Sequence, residues 1–318
     1  MAPTQCLPRR RSAADRRPCC NGPVLTRRGV LRSGVVAVLA RTGMLAAAAS
    51  TAGCLQPSAP AGARPAPARH AYGEDPSQVG ELHLPTGAGP FPVVVVVHGG
   101  FWRAAYDLSL GTPLAADLAG RGYAAWNLEY RRVGGGGGWP ATLLDVAAGI
   151  DRLAALAAAG TPLDLSRVVG LGHSAGGHLA TWAAARPGLP VDAPGAGPAV
   201  ALTGVVAQAG VLDLRLAADE QLGAGATQEF LGGGPDDVPD RYAVASPVQR
   251  VPLGVPVVCV HGTTDTNVPP SQSEHYVRAA TRAGDDAELV TVDGDHFVLI
   301  DVGSAAWQTI VGVVGELT

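Results

Sequence analysis

The chain has no lysine; all 23 of its cationic side chains are arginine. Aromatic residues are sparse, and the five cysteines form neither a disulfide framework nor a zinc-ligand spacing. No H-E-x-x-H stretch occurs, which removes the zinc-protease class signalled by that motif. No repeat period of 20 to 50 residues is visible, which argues against a solenoid. The acidic body carries no basic patch interleaved with aromatics, so nucleic acid is not an expected partner. Nine arginines and one acid, Asp15, precede Cys54, leaving 14 arginines against 26 acids in the remainder.

What is present at the start reads as targeting information. Thr26-Arg-Arg-Gly-Val-Leu-Arg32 resembles a twin-arginine export signal, and the run from Gly34 to Ala49 its hydrophobic region. That run is short and interrupted by Arg41, which disfavours a transmembrane helix. Ser50-Thr-Ala-Gly-Cys54 resembles a lipobox with threonine where leucine is usual, making Cys54 a candidate lipidation site. Ordinary signal-peptidase cleavage after the alanines, or a general-secretion signal with a basic start, is the alternative. Residues 1–54 are therefore expected to be an export signal and residues 55–73 a proline- and alanine-rich linker. Residues 74–318 would then be a catalytic domain, attached to the cell envelope through the lipid or released as a soluble secreted protein.

From residue 74 onward, 47% overall hydrophobic content meets a regular alternation of patterns. Val93 to Val97 is an unbroken β-branched run, as in a strand buried on both faces. Further strands are expected near 81–84, 123–130, 167–171, 202–206, 255–260 and 288–292. Helices are expected over 114–119, 141–159, 179–185, 271–283 and 305–317. Such alternation implies an α/β fold with a mostly parallel, doubly wound sheet. Ligand sites on such sheets lie at the carboxyl ends of strands. Cys259 falls inside a strand pattern and reads as a core residue.

The sharpest local signal is Gly172-His-Ser-Ala-Gly176, placed between a strand and a helix. In that context G-x-S-x-G is a nucleophile elbow with Ser174 at its apex. Read alone, the pentapeptide also fits a glycine-rich turn whose serine caps a helix. His98-Gly-Gly-Phe-Trp102 follows the valine strand and offers backbone N–H donors at Gly100 and Phe101; with Ala175 these are candidates for an oxyanion hole. His98 precedes those donors and reads as a loop-holder rather than a base.

An acid and a base are needed to activate the serine, and both follow late strands. Asp265 lies in His261-Gly-Thr-Thr-Asp-Thr-Asn-Val-Pro269 and His296 in Asp293-Gly-Asp-His-Phe297. The chain order serine, aspartate, histidine is the one found in α/β-hydrolases. Asp213 competes as the acid but reads better as a helix cap; His261 and His275 read as structural, and Asp293 and Asp295 as shaping the histidine loop. Phe101, Trp102 and Trp139 are candidates to bind an aromatic or acyl group of the substrate, and each reads equally well as a core residue. Gly134 to Gly138 reads either as a flap or as a connection without a role.

HGGFW, GHSAGGHLA, Phe230-Leu-Gly-Gly, Ala245-Ser-Pro, HGTTDTNVP and GDHF together resemble the α/β-hydrolase superfamily. The likeness is strongest to its feruloyl-esterase-like and arylformamidase-like members. The resemblance implies an α/β-hydrolase fold with a small lid insertion, placed here at residues 211–250. It also implies a Ser174, Asp265 and His296 triad and no metal or organic cofactor. Phe101 stands where the lipase-type loop has a third glycine. The expected substrate is a small ester, with an N-formyl amide, a peptide, or mere binding by an inactive site as alternatives.

Overall fold

Five consecutive valines, Val93 to Val97, lie in the middle of the sheet, each 1% exposed or less. Burying a valine side chain contributes about 1.5 kcal/mol or more, so this run anchors both layers of the fold. Val93, Val95 and Val97 pack into one apolar cluster and Val94 and Val96 into another, as the two-residue period of a strand requires.

The computed structural model describes residues 66–318. The proposed export signal, most of the linker and Cys54 lie outside the described residues. In chain order the elements are β1 (Ala68–Ala71), β2 (Val79–His83), β3 (Phe91–Val97), α1 (Thr112–Gly120), β4 (Ala124–Leu128), α2 (Ala141–Ala158), β5 (Leu163–His173) and α3 (Ala175–Ala184). There follow β6 (Gly204–Gln208), α4 (Leu214–Asp219), α5 (Ala226–Leu231), α6 (Pro239–Ala245), β7 (Val257–Gly262), α7 (Ser271–Ala283), β8 (Ala287–Val292) and α8 (Ala305–Leu317). The eight strands form one sheet in the order β1-β2-β4-β3-β5-β6-β7-β8. Pairings from β4 through β8 are parallel, and β1–β2 and β2–β4 are antiparallel. This is the α/β-hydrolase fold expected from the motifs. Helices α2, α3 and α7 cover one face, α1 and α8 the other.

One boundary differs from expectation. Residues 68–71, read as the end of the linker, are an edge strand paired with β2, and Tyr72 donates its hydroxyl proton to the Glu129 carbonyl at 2.6 Å. Ala-Arg-His-Ala carries no strand pattern of its own. It is recruited by backbone pairing, so the domain begins by residue 68 rather than 74. Strand β5 also starts earlier than its apolar pattern: its register against β3 shifts where Asp164 accepts from Ser166 N and Arg167 Nε.

Helices α4, α5 and α6 form the insertion between β6 and β7, within the stretch expected to be a lid. Among the described residues no helix is long and apolar enough to cross a membrane.

Candidate active site

Ser174 sits between β5 and α3 with φ 58° and ψ −121°, a conformation in which an L-residue is strained. The turn is that sharp because strand and helix nearly touch. A Cβ at Gly172 would lie 2.1 Å from the Gly176 carbonyl oxygen, and one at Gly176 would lie 2.0 Å from that of Val97. Both glycines of the pentapeptide are therefore demanded by contact. Ser174 N–H donates to the Gln208 carbonyl at the end of β6 at 2.8 Å, which ties the elbow to the next strand.

The loops after β7 and β8 bring the candidate acid and base together. His296 Nδ1–H donates to Asp265 Oδ2 at 2.6 Å, and both side chains are buried. The other carboxylate oxygen accepts from Asn267 N and Val268 N at 2.8 and 2.9 Å. Burial works to raise the Asp265 carboxyl, but hydrogen bonds from His261, His296 and Val268 outweigh it and hold the group well below the usual carboxylate range. His261 lies 3.4 Å from Asp265 while bonding to Ser273 Oγ and the Val268 carbonyl, so it secures the loop. Asp213 caps α4 by accepting from Arg215 N and Leu216 N. His275 is exposed on α7, and Asp295 accepts from Phe297 N and Val298 N in the histidine loop.

His173, the residue before the serine, was given no role in the sequence. Its Nε2–H donates to the His296 carbonyl at 2.8 Å, and the two imidazole rings lie 4.4 Å apart. Burial pushes its pKa down to about 3, so it stays neutral beside His296.

Ser174 and His296 line one cavity of about 120 Å³ together with Gly100, Phe101, Tyr106, Leu110, Phe297 and Ile300. Apart from the two imidazoles, His173 and His296, no ionisable side chain but the Tyr106 phenol borders it, so the space suits a small uncharged group. The N–H groups of Gly100 and Phe101 are not used by the loop's own turn bonds, which run from Arg103 N to Gly100 O and from Tyr106 N to Arg103 O. Gly100, Phe101 and Trp102 have φ of 110°, 51° and 56°, so two bulky residues adopt left-handed backbone in succession. His98 behaves as a loop-holder: Nδ1 is 2.8 Å from the Gly99 carbonyl, Nε2 is 3.0 Å from Glu129 Oε1, and Tyr130 OH donates to the His98 carbonyl.

Neither tryptophan expected to bind substrate borders the cavity. Trp102 is 1% exposed, stacked on Phe230 and bonded to His178; Trp139 packs against the core, its backbone N–H on the Phe230 carbonyl. The loop reverses at Trp102, so Phe101 faces the cavity and Trp102 the interior. Gly134 to Gly138 also lies off the cavity, closed by bonds from Gly135 N and Gly137 N to the Arg132 carbonyl. The aromatics that do line it are Phe101, Tyr106 and Phe297; Phe297 was visible in the GDHF motif, whereas Leu110 and Ile300 arrive from short turns with no motif. Among the described residues no three His, Cys, Asp or Glu side chains are grouped as a metal site requires.

Residues 81–279 match the BD-FAE family model. Esterase LipC of Mycobacterium tuberculosis is 29% identical over 237 residues, 67% of this chain; the chain spans 55% of the length of that curated relative. Among solved structures, a truncated carbohydrate esterase from gut microbiota superposes with TM-score 0.70 at 21% identity, covering 81% of this chain and 98% of that one. The butyrate-bound esterase Est2 of Thermogutta terrifontis gives 0.63 at 23% identity, covering 79% and 93%. At these identities the two structures speak for the fold.

Proposed function

The chain belongs to the BD-FAE family, and from that premise we propose that it hydrolyses small carboxylic esters through an acyl-enzyme formed on Ser174. Esterase names among its relatives support the reaction class. The observation that carries the reading is the 2.6 Å bond between His296 and Asp265, made by a histidine that shares a cavity with a serine held at an elbow.

With Nδ1 engaged by Asp265, His296 has Nε2 available to take the Ser174 proton as Oγ bonds to the ester carbonyl carbon. The carbonyl electron pair moves onto oxygen, where N–H groups of Gly100, Phe101 and Ala175 meet the negative charge. The C–O bond to the alcohol then breaks, and His296 returns the proton to the departing alkoxide. Water repeats the sequence on the acyl-serine and releases the acid. Throughout, the Asp265 carboxylate keeps the imidazole in the right tautomer and offsets its transient charge.

A fluorophosphonate probe should label the protein, and Ser174→Ala should abolish the labelling; an unlabelled wild type that turns over no aryl ester would overturn the reading. The same machinery serves an N-formyl amide, so relative turnover of aryl esters and N-formyl anilides distinguishes an esterase from an arylformamidase. We propose also that the chain is exported and lipidated at Cys54, on the motifs of its first 54 residues. Mass spectrometry of the mature N-terminus tests this: a free N-terminus other than residue 54 overturns it.

A further inference from the structure

Trp102 of HGGFW and His178 of GHSAGGHLA are motif residues without a part in the reaction. They are bonded to each other. Trp102 Nε1–H donates to His178 Nδ1 at 3.1 Å, and His178 Nε2–H donates to the Ala245 carbonyl at 2.9 Å. The chain of bonds thus runs from the loop after β3, through the first turn of α3, to the end of α6. Its middle member is a neutral imidazole with one nitrogen accepting and the other donating. His178 is fully buried, and burial pushes its pKa down to about 4.

The surroundings lock the same loop. The Trp102 ring stacks on Phe230 of α5 at 4.7 Å and meets His178 edge-on at 5.2 Å. Its carbonyl accepts from Val133 N. One residue earlier, Phe101 lies against Gly223, where a Cβ would come within 2.6 Å of the Phe101 ring. The insertion between β6 and β7 therefore grips both bulky residues that hold left-handed backbone, and these immediately follow or include the N–H groups of Gly100 and Phe101.

We propose that Trp102 and His178 are positioning residues that hold the Gly100 and Phe101 N–H groups in register with Ser174, through the Trp102–His178–Ala245 bonds. The proposal rests on the oxyanion-hole reading of that loop. Left-handed backbone at a phenylalanine and a tryptophan persists only where its surroundings over-determine it. The buried indole, with its one donor committed to a nucleophile-helix side chain, supplies that determination. A displacement of about 1 Å at such donors costs on the order of 100-fold in rate.

The test compares wild type with Trp102→Phe, His178→Gln and His178→Leu, using an aryl acetate as substrate and an aryl trifluoromethyl ketone as a tetrahedral-adduct analogue. Rates are normalised per active site by fluorophosphonate titration, so that a partly unfolded variant is still read correctly. For Trp102→Phe and His178→Leu we expect kcat roughly 10- to 100-fold lower with KM within about twofold. Ketone affinity should fall by the same factor as kcat, since both depend on stabilising the oxyanion. His178→Gln retains one acceptor and one donor and should recover most of kcat. Unchanged kcat and ketone affinity per titrated site in the first two variants would overturn the proposal. So would a loss confined to KM. Failure of the oxyanion reading itself looks different: the wild-type enzyme would then bind the ketone no better than its substrate.

Discussion

Two loops follow neighbouring parallel strands, and both run left-handed. After β3, Gly100, Phe101 and Trp102 have φ of 110°, 51° and 56°; after β4, Gly134, Gly136 and Gly138 have φ of 86°, 78° and 97°. They touch, through a bridge between Arg103 and Val133 and a bond from Ala104 N to the Val133 carbonyl. Yet one borders the cavity and the other does not. The difference is who occupies the left-handed positions. Glycine enters that region freely, whereas an L-residue pays roughly 1 to 2 kcal/mol there. The glycine run is closed by its own backbone bonds; the first loop is held from outside by Phe230, His178 and the Gly223 turn. Ser174 belongs to the strained class, and so do Ala209, which follows the strand that anchors it, and Gln221 and Ala224, which flank Gly223. Of the non-glycine residues with positive φ among the described residues, Phe101 and Ser174 line the cavity itself.

The contrast predicts where substitutions act on chemistry and where they act only on stability. Ser174→Ala stands at the extreme of the first kind: kcat should fall by roughly 10⁶-fold while the melting temperature stays close to that of wild type. Near-normal turnover of an aryl ester by that variant removes the site from this cavity altogether. Asp265→Asn should lower kcat by about 10⁴-fold, because the amide favours the wrong imidazole tautomer; a steady-state loss below tenfold would mean that His296 is oriented by something else.

A smaller effect follows from the imidazoles beneath the strained backbone. His173 and His178 have folded-state pKa values lowered by burial to about 3 and 4, against an ordinary 6.5. Between pH 6.5 and 4 the unfolded chain takes up protons that the folded chain refuses, so stability falls as pH falls through that window. The Asp265 carboxyl, held low in the folded state, acts in the same direction at lower pH still. Melting temperatures should therefore drop steadily on acidification from pH 7, and His178→Gln should show a shallower slope. Equal slopes would show that His178 is not a buried neutral base.

The smallest expected effects lie in the glycine run and would break the comparison if they were large. Gly135 has no left-handed requirement, and a Cβ there meets its nearest neighbour at 3.4 Å. Gly135→Ala should leave kcat and KM unchanged and alter stability by less than about 1 kcal/mol. Gly137→Ala places a Cβ 2.1 Å from the Arg131 carbonyl oxygen and should lower the melting temperature without changing kcat per active site. A drop in kcat for Gly135→Ala would instead assign the run a role as a moving flap.

What could be read without coordinates was local. The valine run, the period of the helices and the glycine spacing around Ser174 each express a constraint acting within about ten residues. Loops after strands then lay on a common edge because a parallel sheet aligns its strand ends. Edge strand β1 was illegible because Ala-Arg-His-Ala has no apolar alternation, and only its partner β2 makes it a strand. Trp102 stayed open between substrate contact and core for the same kind of reason. An aromatic beside a glycine pair looks available to a ligand, and only Phe230 and His178, far along the chain, bury it. Glu129 had no role legible in the sequence, yet in the fold it accepts from Leu108 N, Tyr130 N and Arg132 and lies against His98.

By itself, then, the local sequence determined the central strands, their turns and the side chains at their carboxyl ends, since those outcomes follow from backbone conformation and short-range contact. Tertiary structure alone decided which aromatic faces the cavity, which turns bring Leu110 and Ile300 to its wall, and what holds the loop after His98. Those depend on side chains that meet only when segments far apart in sequence are packed together, and no local pattern encodes such a meeting.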